Sequence, residues 1–142
     1  MSGLLLLHLL GIGAWMGCVA VEVLIEARRG GSPELHLDAA ALHLRIDLLV
    51  EVPALLLVAC TGIAMLMSST LTALLVLKLF FAAVAVASNA GCVWIVFKRR
   101  QAMKIGIEAV EAESARMDRM SLPLLGSWLI TLSIGTYLLL GS

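Results

Sequence analysis

Charged residues are too scarce in this chain to coat a water-soluble protein. They make up 14% of 142 residues, against 61% that are hydrophobic, where a soluble domain carries about 25% charge. Ten basic and ten acidic residues cancel, so the cationic excess that nucleic acid requires is missing and no nucleic-acid partner is expected. Cysteine is equally thin: Cys18, Cys60 and Cys92 stand singly and far apart within apolar runs, which argues against a disulfide framework or a thiolate metal site and leaves them as small packing residues. No Glu-x-x-His pair occurs, which sets aside the di-iron carboxylate motif of soluble four-helix bundles.

The chain is instead rich in long apolar runs. Four of them, about Leu4 to Ala27, Ile46 to Met67, Leu71 to Phe97 and Leu122 to Leu140, each approach the roughly 20 residues a helix needs to cross the hydrocarbon core. The expected fold is all-α, one integral membrane four-helix bundle over residues 1–142 with up-down-up-down topology. The first run carries no basic residue before Leu4 and no Ala-x-Ala cleavage site ahead of Arg28, so it reads as a span and not as a cleaved signal. Arg28, Arg29 and Arg45 flank the first connection, and Lys98, Arg99, Arg100, Lys104, Arg116 and Arg119 fall in the third. The positive-inside rule then makes both cytoplasmic and puts both termini on the opposite side, consistent with a multi-pass protein of a bacterial inner membrane. The basic loops face anionic headgroups of the lipid bilayer.

Ser32-Pro33-Glu34 reads as an N-cap, a proline at the first helical position and an acid in the first turn, so the second helix should begin at 33, well before the membrane. Along it His36, His43, Asp47 and Glu51 fall within an arc of roughly 80°, with Pro53 following. In the first helix His8, Trp15, Glu22 and Glu26 share a second stripe. The two helices run antiparallel, so Glu22, Glu26, His43, Asp47 and Glu51 should converge near the cytoplasmic boundary. Asp118 and Asn89 reach the same level, whereas Glu108, Glu111 and Glu113 read as solvated loop residues.

Ionisable groups at bilayer depth are costly and cluster around function. Carboxylates with an imidazole suit a divalent ion such as zinc, iron, manganese or copper. Glu22, Glu26, His43, Asp47 and Glu51 are the candidate ligands, with Asn89, Asp118 and His36 as additional or supporting ones. Two alternatives stay open: a belt of salt bridges to Arg28, Arg29, Arg45 and Arg119, and a proton or cation path in a small transporter. His8 and Lys78 form a second pair near the outer face, since each lies about six residues from the outer end of its helix. Gly11, Gly13, Gly17 and the small residues around 82–90 would permit close helix contacts, including a homodimer.

These residues also resemble a family. His8 followed by Trp15-Met16-Gly17, Pro53-Ala54 with Gly62, Lys78, and Pro123 opening the last span are similar to the bacterial four-helix membrane protoporphyrinogen oxidases of the HemJ type, and more distantly to copper-resistance D membrane proteins. The likeness implies an oxidoreductase with a porphyrin substrate and haem b, with His8 and Lys78 as the residues that handle it. Asn89 stands where the family usually carries a histidine, and Glu22 and Glu26 shift the polar interior toward carboxylates.

Overall fold

The computed structural model describes residues 3–29 and 32–140 and is entirely helical over that range, apart from turns. Four helices, α1 (Gly3–Glu26), α2 (Pro33–Leu66), α3 (Ala73–Ala102) and α4 (Ile107–Leu140), are each long and apolar enough to cross a membrane, giving the four-helix architecture of a multi-pass membrane protein.

Local chemistry sets the helix starts. Ser32 lies in extended backbone and its hydroxyl accepts the Leu35 N–H at 3.3 Å, with Pro33 and Glu34 opening α2. Thr72 caps α3 in the same way, accepting the Leu75 N–H at 3.2 Å. Gly106, at φ 150°, makes the turn between α3 and α4, a conformation that side chains disfavour.

The helices form two hairpins. α1 packs against the apolar half of α2, α3 packs along α4, and the hairpins meet mainly where the first half of α2 lies against α3. Gly11 sets the spacing of the first hairpin: a Cβ there would lie 2.9 Å from the Val58 side chain. The membrane-level core is Trp15, Ala54, Ala85 and Leu124, one residue from each helix.

α2 and α4 each run 34 residues, about 50 Å at 1.5 Å per residue against a hydrocarbon core of about 30 Å. The excess lies at the basic end. Residues 98–121, expected as a loop, are instead the end of α3, a short turn and the first turns of α4. The apolar-run criterion stops at the membrane, but these segments keep a buried stripe: Ala40, Ala102 and Val110 form a small core of their own. Glu108, Glu111 and Glu113 accordingly sit on helix α4 and not in a loop.

A second departure from a plain helix falls at the polar stripe. Residues Asp47–Glu51 form one π turn, in which the Val52 N–H bonds to the Asp47 carbonyl. Pro53, two residues beyond the turn, has no N–H to offer the Leu49 carbonyl, and its ring crowds that group. Widening the preceding turn accommodates both problems, and π turns recur at functional sites.

Candidate metal centre

The buried face of α1 is Gly11, Trp15, Cys18 and Glu22, and that of α2 near the π turn is His43, Leu44, Asp47 and Glu51. Because the helices are antiparallel, these faces meet. Asp47 is 1% exposed, Glu51 3% and His43 5%.

Within this group the side chains divide by partner. Glu26 is saturated: Arg99 grips it in a bidentate pair at 2.6 and 3.1 Å, Arg29 adds a bond at 3.1 Å, and His43 Nδ1 lies 2.7 Å from its Oε1. A carboxylate held by two guanidinium groups only accepts, so His43 Nδ1 carries the proton. The other ring nitrogen, Nε2, then presents a lone pair, 3.6 Å from Glu22 Oε2 and 3.4 Å from Asp47 Oδ1. A carboxylate that fixes the tautomer of a histidine and leaves its far nitrogen free is the usual support of a metal-ligating imidazole.

Glu22, His43 and Asp47 each place one donor atom within 4.8 Å of the others, so the three could hold a metal ion. Neither carboxylate oxygen of Asp47 has a hydrogen-bond partner. Glu22 accepts a long bond from the Cys18 thiol at 3.5 Å. Glu51 accepts from the Trp15 indole N–H at 3.2 Å, which Trp15 shares with the Asn89 side-chain carbonyl at the same distance.

A belt of salt bridges was one expectation for this cluster. Among the described residues, Arg28, Arg45 and Arg119 form no ion pair, and the arginines that do reach the site, Arg29 and Arg99, are spent on Glu26 and Asp118. Among the described residues, Glu22, Asp47 and Glu51 therefore have no arginine or lysine paired to them, and their nearest basic side chain is the His43 imidazole. Three carboxylates crowded in low dielectric cannot all stay ionised without counter-charge, so a bound cation or protons must supply it.

The remaining candidates lie around this centre. Asp118, on α4, is bound to Arg29; that hydrogen bond, aided by Glu26 and opposed by burial, raises the Arg29 pKa further above its ordinary value. His36 stands apart: its Nε2 pairs with the Ser114 hydroxyl at 3.0 Å, and Ser114 donates onward to the Val110 carbonyl, so it ties α2 to α4 outside the cluster. Asn89 is fully buried with its amide nitrogen unpartnered. At the far end of the bundle His8 Nδ1 meets the Thr61 hydroxyl at 2.9 Å. The Lys78 ammonium rests beside Gly135, 3.3 Å from where a Cβ would be.

Arg99 is the functional residue that the sequence reading missed, having placed it in a basic loop. It is 0% exposed. Its signal was the heptad-like spacing of the buried α3 stripe, Ala85, Asn89, Val96 and Arg99, which carries the packing face through the charged end of the helix.

A cavity of about 260 Å³ opens onto the centre between α1 and α4, with Glu22, His43 and Glu51 on its floor and Asp118 and Ser121 toward its rim. No family model, curated protein or solved structure matches the chain.

Proposed function

We propose that this protein binds a divalent transition metal or zinc at Glu22, His43 and Asp47, within the membrane-spanning bundle. One observation carries the reading: a histidine with its tautomer set by Glu26 aims its free nitrogen at two carboxylates, one of which is wholly buried and accepts no hydrogen bond on either oxygen. Such a carboxylate is costly unless a cation or a proton compensates it, and the lone pair of His43 Nε2 beside it favours the cation. Glu51 stands beside the three as a further ligand or base, and Arg99 and Glu26 hold the imidazole. Three protein ligands leave coordination positions open, the arrangement of catalytic and transport sites more than of closed structural ones. The bacterial inner membrane is the setting this reading assigns.

Elemental analysis of detergent-purified protein tests it. The wild type should carry close to stoichiometric zinc, manganese, copper or non-haem iron, and His43→Ala and Asp47→Ala should each lose it. Equal metal content in wild type and both variants would overturn the assignment. Metal-free protein that moves protons or cations across liposome membranes would instead favour the transport reading.

A second reading follows from the opposite end of the bundle. Thr61 donates its hydroxyl proton to the Leu57 carbonyl at 2.6 Å, so it accepts from His8 Nδ1 and leaves His8 Nε2 free. Gly62 gives the ring room, its Cβ position lying 3.3 Å from the His8 Cε1. On this reading the chain is a HemJ-like oxidoreductase with His8 as a haem ligand and Lys78 near a propionate. A Soret band lost in His8→Ala would support it; a colourless preparation would remove it.

A further inference from the structure

A divalent ion held at the centre needs a polar way in, and the cavity between α1 and α4 has walls of two kinds. Val19, Val23, Leu124 and Leu125 are apolar; Val23 is 56% and Leu125 37% exposed, on helices that span the membrane, and hydrocarbon on that side excludes a hydrated ion. Toward the basic end the lining turns polar, with Glu26, Asp118 and Ser121. The same cavity is lined by Glu22, His43, Glu51 and the Cys92 side chain, so an ion passing Asp118 reaches the centre without leaving the cleft.

Arg29 lies across that polar mouth. It follows α1 in the chain, and its guanidinium bonds Asp118 on α4 through one amino group and Glu26 on α1, at 3.1 Å, through the other. Both acceptors line the cavity. The bridge to Asp118 is built to open: side-chain exposure is 24% for Arg29 and 52% for Asp118, and exposed ion pairs are weakly held. Its release leaves the His43 support intact, because Arg99 still grips Glu26 at 2.6 and 3.1 Å. α1 and α4 also belong to different hairpins, which meet mainly where the first half of α2 lies against α3, so the cleft between them is free to widen.

We propose that the divalent ion enters from the basic end of this cleft and that Arg29 gates the way, repelling the ion while paired and uncovering the Asp118 carboxylate as a first docking point when it swings aside. The inference rests on the metal reading above and adds the route of loading. A positive charge at the mouth slows capture of a dication, and a free carboxylate there raises the local concentration of the ion.

The test is a rate: Co(II) is mixed in stopped flow with metal-free, full-length protein in phosphatidylcholine nanodiscs, and the visible bands of the bound ion are followed. Arg29→Gln should quicken capture about tenfold, and Arg29→Lys, which keeps the charge, should stay close to wild type. Asp118→Asn should slow capture, since it removes the docking carboxylate and leaves Arg29 at the mouth. Co(II) content at equilibrium should be stoichiometric in all three. A plain clamp between α1 and α4 predicts instead that Arg29→Gln and Asp118→Asn both loosen the cleft and quicken capture alike. That result, an unchanged rate in Arg29→Gln, or equal quickening by Arg29→Lys overturns the gate and leaves the metal reading standing. If Arg29→Gln folds poorly, Asp118→Asn decides alone: slower capture upholds the gate, and an unchanged or faster rate overturns it. Wild-type protein that takes up no Co(II) overturns both readings.

Discussion

Removing the Arg99 guanidinium would strand the Glu26 carboxylate in a site where one cation, Arg29, cannot replace the bidentate pair. Breaking a buried ion pair from one side costs about 3–5 kcal/mol. Arg99→Ala should therefore lower the unfolding midpoint in detergent sharply, and it should also weaken metal binding because Glu26 would no longer fix the His43 ring. Asp47 predicts the opposite sign. Its buried oxygens accept no hydrogen bond and only His43 Nε2, at 3.4 Å, lies within ion-pair range, so it destabilises the metal-free protein, and Asp47→Asn should stabilise the metal-free form by on the order of 1 kcal/mol or more while losing the metal. A thermal-unfolding pair with and without metal reads both effects at once. If Asp47→Asn destabilises the metal-free protein, the carboxylate has a structural partner and the argument for a cation fails.

At the scale of the element, the π turn at Asp47–Glu51 is the feature that fixes where the carboxylates point relative to His43. Pro53 favours it by denying the Leu49 carbonyl its α-helical partner. Pro53→Ala removes that constraint, and relaxation of the turn toward a regular helix would rotate Glu51 relative to His43. Metal affinity should fall on the order of tenfold with little change in helicity, since displacing a supporting group near a metal site commonly costs 10–100-fold. An unchanged affinity, measured by competition with a chromophoric chelator, would mean that the turn is held by packing and not by the proline.

At the scale of the whole molecule, three helices outrun the bilayer at one end and α1 does not. The bundle should stand in the membrane with its basic end projecting as a small helical cap built on Ala40, Ala102 and Val110. In a background without native cysteines, Lys104→Cys and Ser69→Cys should be labelled by an impermeant maleimide from opposite sides of oriented vesicles, with Lys104 on the cytoplasmic side by the positive-inside rule. Labelling of both from one side would break the four-span topology.

How far each level was legible follows from the range of the physics involved. Four helices were written in the apolar runs, because a bilayer demands about 20 hydrophobic residues in sequence. The start of α2 was written in Ser32-Pro33-Glu34, because capping is local. The four-residue spacing of Glu22 and Glu26, and of His43, Asp47 and Glu51, fixed which side chains share a face. Spacing could not say which carboxylate meets which cation, because ion pairs join residues far apart in the chain: Arg99 reaches Glu26 across 73 positions and Arg29 reaches Asp118 across 89. Only the packing of two hairpins decided that Glu26 is the support and Glu22 and Asp47 the open acceptors, that His36 belongs to Ser114, and that a cavity lies between α1 and α4. Helix periodicity is a property of neighbouring residues and can be read along the chain, whereas charge compensation is a property of distance in space, which the sequence does not contain until the helices meet.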